Sequence, residues 1–296
     1  MKPRIALVSA KAARDLDDDL PPLRDVLRDR DVDVSIVEWD DPNAEWNAYD
    51  LALIRSTWDY TQRLPEFLDW AACASAQTRL LNPVEVMRWN TDKHYLHDLE
   101  KSGVAIVPSA FIELDRNATN AVAEFLARHD DAEFVVKPSV GAGSRDAQRY
   151  VRHQKDEAGV HAQRLLDDAR TVLLQPYLDR VDEHGETALI FFGGVFSHAI
   201  RKGPLLRKNE GPTRALFAAE HISAREPSPE ERQLAEKTLA AMPFAQPLLY
   251  ARVDIIQNRS GAPVLLELEL TEPSLFFAHA DGAADRFADA ILKAAR

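Results

Sequence analysis

Two apolar strands joined by a tight turn constrain the fold of this chain more than any other feature of its sequence. They cover residues 251–256 and 264–270, and the turn between them reads Asn258-Arg259-Ser260-Gly261. Val, Ile and Leu are typical of half-buried strands, and Asn, Ser and Gly are typical of turns. The sequence therefore predicts a β-hairpin in this stretch.

Strand periodicity places three acidic side chains of the hairpin close together. Alternate residues share a face, so Glu267 and Glu269 project to the same side. A hairpin closed over residues 259–262 sets Asp254 opposite Glu267. Like charges at such positions are destabilising, so a cation is expected between them. Arg252 supplies part of this charge and Mg²⁺, which prefers oxygen ligands, supplies it better. An edge hairpin with a solvated acidic face is the alternative.

Composition excludes several classes of protein. The 296 residues suggest about two domains, and an apolar content of 46% is enough for a packed core. A net charge of −12 argues against nucleic acid and anionic membranes as partners. Cys73 is the single cysteine, so an internal disulfide is excluded and a reducing compartment is expected. Without a signal peptide or a membrane-spanning apolar run, a cytoplasmic protein is predicted.

The first part of the chain alternates strands and helices. Strand patterns are found at residues 4–8, 32–37 and 51–54, with a helical pattern after the first strand and another from Leu64 to Ala76. This alternation indicates a parallel α/β sheet, in which ligands bind beyond the carboxyl ends of the strands.

A candidate substrate site follows the third of these strands. Arg55, Ser56 and Trp58 lie at its carboxyl end. An arginine can hold a carboxylate through two parallel hydrogen bonds, and an aromatic neighbour can shape a small pocket. The structural alternative is an ion pair between Arg55 and Asp50 or Asp59.

Two lysines and a glycine-rich loop suggest an anion-binding site. Lys137 follows an apolar run and precedes a loop that contains Gly141, Gly143 and Ser144. Bare backbone amides in such a loop can cradle an anion, and a lysine after a buried strand needs an anionic partner. Lys93 lies near the start of a predicted helix, where anions are also favoured. With the acidic hairpin, these features indicate a nucleoside triphosphate with Mg²⁺, although the Walker P-loop pattern is absent.

Taken in order, these motifs resemble those of the ATP-grasp ligase superfamily. The resemblance begins near residue 90 and rests on Asp92-Lys93, Val135-Val136-Lys137-Pro138, Gly141-Ala142-Gly143-Ser144, Gln175-Pro176-Tyr177-Leu178, Gly185-Glu186, Arg252-Val253-Asp254 and Glu267-Leu268-Glu269. Two earlier stretches resemble a narrower group, which includes the O-ureido-serine cyclo-ligase of cycloserine biosynthesis and glutathione-synthetase-like proteins. These stretches are Trp39-Asp40-Asp41-Pro42 and Arg55-Ser56-Thr57-Trp58-Asp59-Tyr60.

The resemblance implies the architecture. We expect an α/β protein with α+β lobes, in which an ATP-grasp fold follows an N-terminal parallel α/β pre-ATP-grasp domain. The expected units are a substrate-side domain over residues 1–104, a lid over 105–178 and a metal-binding unit over 179–296. Residues 203–227, rich in Gly, Pro and charge, are predicted to form a long loop.

The resemblance also implies a role for each candidate residue. The residues expected to hold ATP are Lys93, Lys137, Gly141, Gly143, Ser144, Gln175, Pro176, Tyr177, Leu178 and Glu186. The residues expected to hold Mg²⁺, or Mn²⁺ as a possible substitute, are Asp254, Glu267 and Glu269. Arg252 and Arg201 are expected to neutralise the transferring phosphoryl group. The substrate candidates are Arg55, Ser56, Trp58, Lys202, Glu272 and Ser274.

The implied activity is an ATP-dependent ligation of a small amino acid through an acylphosphate, as in O-ureido-serine cyclisation. A peptide-type or glutathione-synthetase-like ligase that joins two substrates is one alternative. A non-catalytic nucleotide-binding protein of the same fold is the other. The number of metal ions is open, because Glu269 stands where many relatives have Asn. The assembly state is also open, with a homodimer as one option.

Overall fold

The computed structural model describes residues 2–206, 211, 221–244 and 247–295. It contains three sheets that follow one another along the chain. One is parallel and two are antiparallel, so the expected α/β architecture is confirmed. None of the helices in the described ranges combines the length and the apolar character needed to cross a bilayer.

The N-terminal sheet has the strand order β2-β1-β3-β4, and all its pairs are parallel. Its strands are β1 (Arg4–Ser9), β2 (Asp33–Glu38), β3 (Leu51–Ser56) and β4 (Arg79–Leu81). The helices of this part are α1 (Leu20–Asp29), α2 (Leu64–Ser75), α3 (Val84–Asn90) and α4 (Tyr95–Lys101). Lys93 belongs to the turn that precedes α4 rather than to the helix itself.

The central sheet is antiparallel, with the order β5-β8-β6-β7. Its strands and helices are β5 (Ala110–Ile112), α5 (Ala118–Arg128), β6 (Glu133–Pro138), β7 (Gln148–Val151), α6 (Lys155–Asp167) and β8 (Val172–Pro176). Because side chains alternate along β6, Phe134 and Val136 pack into a core with the two helices. Val135 and Lys137 consequently project from the opposite face.

The C-terminal sheet is antiparallel, with the order β11-β10-β9-β12-β13. Its elements are α7 (Val181–His184), β9 (Glu186–Phe192), β10 (Val195–Lys202), β11 (Ile222–Arg225), α8 (Pro229–Ala240), β12 (Tyr250–Gln257), β13 (Pro263–Glu269) and α9 (Ala283–Ala294). The predicted hairpin is β12 and β13, and Asp254 lies opposite Glu267 as expected. Its turn is closed by Asn258 Oδ1, which accepts backbone hydrogen bonds from Ser260 and Ala262, each at 3.0 Å.

The prediction that residues 203–227 form a long loop is wrong near the C-terminal end of that range. Ile222–Arg225 forms β11, which pairs with β10 as an edge strand. A four-residue strand is too short to give a clear alternating pattern, which explains the error. Residues 207–210 and 212–220, which make up most of the predicted loop, lie outside the described residues.

The hydrophobic clusters do not correspond one to one with the three sheets, because two of the clusters join residues of the N-terminal and C-terminal parts. One cluster joins Leu7 and Leu23 of the N-terminal part to Ile190 and Phe287 of the C-terminal part. Another packs α3 and α4 against the C-terminal sheet. The described cluster beneath the central sheet draws on residues between 110 and 174, although Leu173 on the other face of β8 belongs to the cluster of the C-terminal sheet. The helix side of the central sheet therefore has its own core, and the domain boundaries at residues 104 and 178 stay predictions.

Candidate functional site

A cavity lined by all three parts of the chain contains most of the predicted site residues. The predicted residues on its surface are Trp58, Lys93, Lys137, Gly141, Gly143, Ser144, Gln175, Pro176, Tyr177, Leu178, Glu186, Lys202, Arg252, Glu267, Glu269, Glu272 and Ser274. The predicted residues that do not line it are Asp254, Arg55, Ser56 and Arg201.

Asp254 lies beneath the cavity floor, where it binds two cationic side chains. It is 1% exposed. Arg252 Nε and Nη2 donate to its two oxygens, each at 2.9 Å, and Lys202 Nζ lies 2.7 Å from Oδ2. Burial alone would raise the pKa of Asp254, but Arg252 and Lys202 outweigh it and hold the pKa well below its usual range. Asp254 is thus an anion that fixes the two cations at the cavity floor.

The carboxylates of Glu267 and Glu269 reach the cavity surface, and their environments differ. Glu267 Oε1 lies 2.8 Å from Lys93 Nζ. Burial opposes ionisation of Glu267, but Lys93 and Lys137 together lower its pKa. Burial instead raises the pKa of Glu269 to about 7, even though Arg252 binds its carboxylate. The charge of Glu269 is therefore the less fully compensated of the two.

The two cavity carboxylates suit a metal ion that is shared with a ligand. In the described ranges, no three His, Cys, Asp or Glu side chains converge into a complete metal-binding set. Mg²⁺ commonly takes one or two carboxylates and completes its octahedral shell with phosphate oxygens and water. Glu267 and Glu269 meet that requirement, whereas both oxygens of Asp254 are occupied by Arg252 and Lys202.

The two predicted phosphate lysines have opposite electrostatic environments. Lys93 Nζ contacts Glu267 and donates to the Gly141 carbonyl at 2.9 Å. Burial would lower the pKa of Lys93, but Glu267 outweighs it and the pKa is raised. Lys137 has no such partner among the described carboxylates, and burial lowers its pKa to about 8. Glu267 offsets the effect of burial on Lys137 only in part, so the described residues compensate the charge of Lys137 incompletely.

The glycine-rich loop follows Lys137 and bends through left-handed backbone conformations. Gly143 and Ser144 have φ values of 60° and 57°. Glycine adopts this region at little cost, whereas serine does so less readily. A Cβ atom at Gly141 would come within 3.2 Å of the Pro138 ring. The loop thus brings its backbone close to the end of β6, beside both lysines.

Residues 175–178, which are expected to hold ATP, line one part of the cavity at the end of β8 and just beyond it. Gln175 is buried, and its side-chain amide donates to Ser109 Oγ at 3.0 Å. The Arg149 guanidinium lies 3.5 Å from the centroid of the Tyr177 ring. These contacts fix the orientation of both side chains.

Arg55 and Ser56 lie outside the cavity because of the contacts that they make. Arg55 is 1% exposed, and its Nη2 donates to the Pro273 carbonyl at 2.9 Å. Ser56 shares a hydrogen bond of 2.9 Å with Ser9. The alternative ion pair of Arg55 with Asp50 or Asp59 is also not formed. Arg55 thus supports the chain segment that carries Glu272 and Ser274 into the cavity.

Arg201 is separated from the cavity by strand alternation. Neighbouring residues on a strand point to opposite faces, and Lys202 occupies the cavity face of β10. The Arg201 guanidinium donates to the backbone carbonyls of Glu183 and His184, at 2.9 and 2.8 Å. In this structure its side chain binds the α7 turn.

The structure adds residues that were not among the predicted site residues. Tyr60, Arg145 and Phe276 all line the cavity. Burial raises the pKa of Glu272 to about 8, and a hydrogen bond from Tyr60 opposes this rise. Arg145 directly follows the glycine-rich loop, so its place in the sequence could have identified it as a candidate site residue. No sequence pattern identifies Phe276, because its place depends on a turn in an irregular segment.

Comparison with known proteins adds a family match. Residues 5–82 match the family described as "D-cycloserine synthetase DcsG, N-terminal domain". Over 292 residues the chain is 38% identical to the cycloserine biosynthesis protein DcsG of Streptomyces lavendulae, with 97% of each sequence covered.

Solved structures show the same fold. The crystal structure of D-cycloserine synthetase DcsG superimposes with a TM-score of 0.93 at 37% identity, covering 99% of this chain and 100% of that one. The ATP-grasp ligase PsnB, complexed with a phosphomimetic variant of its minimal precursor, Mg and ADP, has a TM-score of 0.66 at 18% identity. Each chain of that pair is covered completely. The predicted ATP-grasp fold is confirmed.

Proposed function

Because the chain belongs to the ATP-grasp ligase family of the cycloserine biosynthesis protein, we propose that it closes O-ureido-serine into cycloserine with consumption of ATP. Membership makes it an ATP-dependent ligase rather than a non-catalytic nucleotide-binding protein. The observation that carries the choice of substrate is the 38% identity over 97% of both sequences. The match over residues 5–82 supports it, because this part contributes Trp58 and Tyr60 to the cavity.

The charge distribution of the cavity supports ATP with Mg²⁺ as its ligand. Among the described residues, the positive charge of Lys137 and the negative charge of Glu269 are each only partly compensated. A phosphate chain with a bound divalent ion brings negative charge to Lys137 and positive charge to Glu269, whereas an anion alone or a metal ion alone brings only one of the two. Mn²⁺ prefers the same oxygen ligands, and we propose it as a substitute.

When bound, ATP would supply a phosphoryl group to the substrate carboxylate and leave as ADP. The oxygen-bound nitrogen of the same molecule would then displace phosphate to close the ring, and hydrolysis of the carbamoyl group to carbon dioxide and ammonia would leave cycloserine. The residues of the chain then have distinct tasks. Lys93 and Lys137 hold the phosphate oxygens at the start of the glycine-rich loop. Arg252, fixed by Asp254, provides positive charge at the cavity floor where charge develops during transfer. Residues 141–144 cover the phosphates and exclude water.

The test measures binding and turnover separately. Mg²⁺ with millimolar ATP should raise the melting temperature of the wild-type protein, since a ligand that binds the native state alone stabilises it. O-ureido-serine should then give ADP, with cycloserine identified by mass spectrometry. A well-folded sample that shows neither a thermal shift nor ADP would refute the proposal.

A second outcome would identify the two-substrate alternative. In that case ADP would be released when two amino acids are present together, and the product would have the mass of a conjugate. The thermal shift with ATP would be retained, so this result would change the substrate and leave the nucleotide site in place.

A further inference from the structure

The segment of residues 271–277, which we call the floor loop, is held by side chains at every one of its first five carbonyls. Each of these carbonyls accepts a hydrogen bond from a different residue. The donors, in order along the loop, are Tyr250 Oη at 2.8 Å, Trp58 Nε1 at 3.1 Å, Arg55 Nη2 at 2.9 Å, Arg252 Nη1 at 3.1 Å and His198 Nε2 at 2.8 Å. The path of the floor loop is therefore fixed through its backbone, which leaves the side chains of Glu272, Ser274 and Phe276 on the cavity surface.

The last three amides of the floor loop all donate to one carboxylate from the N-terminal part. Asp19 Oδ2 accepts from Leu275 N at 2.6 Å and from Phe276 N at 3.0 Å, and Oδ1 accepts from Phe277 N at 2.8 Å. Asp19 directly precedes α1 but forms no side-chain hydrogen bond with that helix. It is 5% exposed. An Asp in this position usually caps its own helix, so the use of its carboxylate on a segment 256 residues away is a distinctive feature.

These three hydrogen bonds hold Phe276 in a left-handed conformation. Its φ is 55° and its ψ is 44°. Bulky residues rarely adopt this region, and they remain in it when surrounding contacts determine the backbone. The conformation places the Phe276 ring on the cavity surface, 5.5 Å from the Arg252 guanidinium carbon. Asp19 itself does not line the cavity.

We propose that Asp19 is a positioning residue for the amino-acid substrate and acts through Phe276. By fixing the left-handed turn, Asp19 holds the Phe276 ring beside Arg252, where the ring limits the space for the substrate side chain. The pocket so formed admits a small zwitterionic amino acid and excludes bulky ones. This proposal rests on the proposed ligase function, because it concerns the second substrate of the same cavity.

A double-mutant cycle with Asp19→Asn and Phe276→Ala tests the proposal. The assay measures ADP release with O-ureido-serine, or with whichever small amino acid the wild-type enzyme turns over. Asp19→Asn keeps the shape of the side chain but removes its charge and one acceptor. We expect each single variant to raise KM for the amino acid about tenfold or more, with KM for ATP within about twofold of wild type. The double variant should be no worse than the poorer single variant, because the two residues act in series.

Two controls separate this role from general destabilisation. Asp18→Asn makes the same substitution at the neighbouring exposed residue and should leave both KM values unchanged. Hydrogen exchange at the amides of residues 275–277 should accelerate in Asp19→Asn and not in Asp18→Asn. If Asp19→Asn does not fold, Phe276→Ala alone must raise KM for the amino acid and admit larger amino acids.

Three results would overturn the proposal. One is an additive cycle, in which Asp19→Asn has the same effect with and without the Phe276 ring. Another is an equal rise in KM for ATP and for the amino acid. The third is a Phe276→Ala variant with the substrate range of the wild type. Failure of the wild type to turn over O-ureido-serine would instead count against the proposed function.

Discussion

Replacing Lys137 with Met should stabilise the ligand-free protein while removing its response to ATP. The Lys137 side chain is half-buried at the end of β6 and lines the cavity, and in the described part of the chain it has no carboxylate at ion-pair distance. Methionine has a similar length and no charge, so it fits the same space without a desolvation cost. The site would then lose a phosphate-binding group, and Mg²⁺ with ATP should give little or no thermal shift.

The size of the effect follows from the pKa of Lys137. Burial lowers this pKa from 10.5 to about 8. One pKa unit corresponds to about 1.4 kcal/mol, so the charged side chain costs the folded state up to about 3 kcal/mol at neutral pH. Because the side chain borders an open cavity, we expect Lys137→Met to raise the free energy of unfolding by about 1–3 kcal/mol at pH 7.

The sign of the pH dependence gives a second test. Between pH 8 and 10.5 the unfolded chain keeps a proton at Lys137 that the folded chain has released. The free energy of unfolding of the wild type should therefore rise with pH relative to the variant. Urea unfolding at pH 7 and pH 9.5 should show the gap between the two proteins narrowing at the higher pH.

Lys93→Met is the matched control, and it should have the opposite effect. The pKa of Lys93 is raised by Glu267, so folding favours its ammonium. That contribution is present below the unfolded pKa of 10.5 and is lost only as pH rises through the higher folded pKa. At pH 7 Lys93→Met should therefore be less stable than wild type. The reasoning is refuted if both variants destabilise the protein, or if Lys137→Met is no more stable than wild type.

Three further substitutions or perturbations are predicted. Glu267→Gln should lower turnover at least about 100-fold. Because Lys93 lowers the pKa of Glu267, the variant should also have a lower free energy of unfolding above pH 4.5, and a urea unfolding curve that matches wild type at pH 7 would contradict this. Arg55→Lys should lower the melting temperature and leave KM for ATP unchanged, since lysine cannot reproduce the guanidinium contact with Pro273. An unchanged melting temperature would show that this contact contributes little to stability. Amides of residues 141–144 should exchange more slowly with Mg²⁺ and ATP present, and equal exchange would argue against closure of the loop over phosphates.

The sequence predicted the hairpin site well because strand periodicity and turn chemistry act locally. The pairing of Asp254 with Glu267 also depends on a shift of register between Asp254 and Ile255, because the pairs next to the turn, such as Ile255 with Leu265, would set Asp254 opposite Leu266. The cations among these carboxylates were only partly foreseen: Arg252 was expected, but Lys93 and Lys202 come from other elements of the chain. Their distances depend on how sheets pack, which periodicity does not encode.

The predicted site residues that do not line the cavity show what sequence patterns cannot determine. Arg201 and Lys202 are adjacent and both basic, and no pattern in the sequence decides which of the two side chains faces the cavity. Arg55 follows the rule that ligands bind at the carboxyl ends of parallel strands, yet the floor loop covers it. Asp19 had no motif at all, because its partners lie 256 to 258 residues away in sequence.

The core shared by α1 and α9 has a consequence for the order in which the chain can fold during synthesis. Leu20, Leu23 and Leu27 of α1 pack in the same cluster as Phe287 and Ile291 of α9. A chain emerging from the ribosome presents the apolar face of α1 long before its partner helix is made. The buried cluster on the helix side of the central sheet can pack in that interval, whereas Leu173 of β8 also needs the C-terminal sheet. We therefore expect the cluster under the central sheet to pack before that of α1, whose apolar face stays without its partner helix until translation reaches α9.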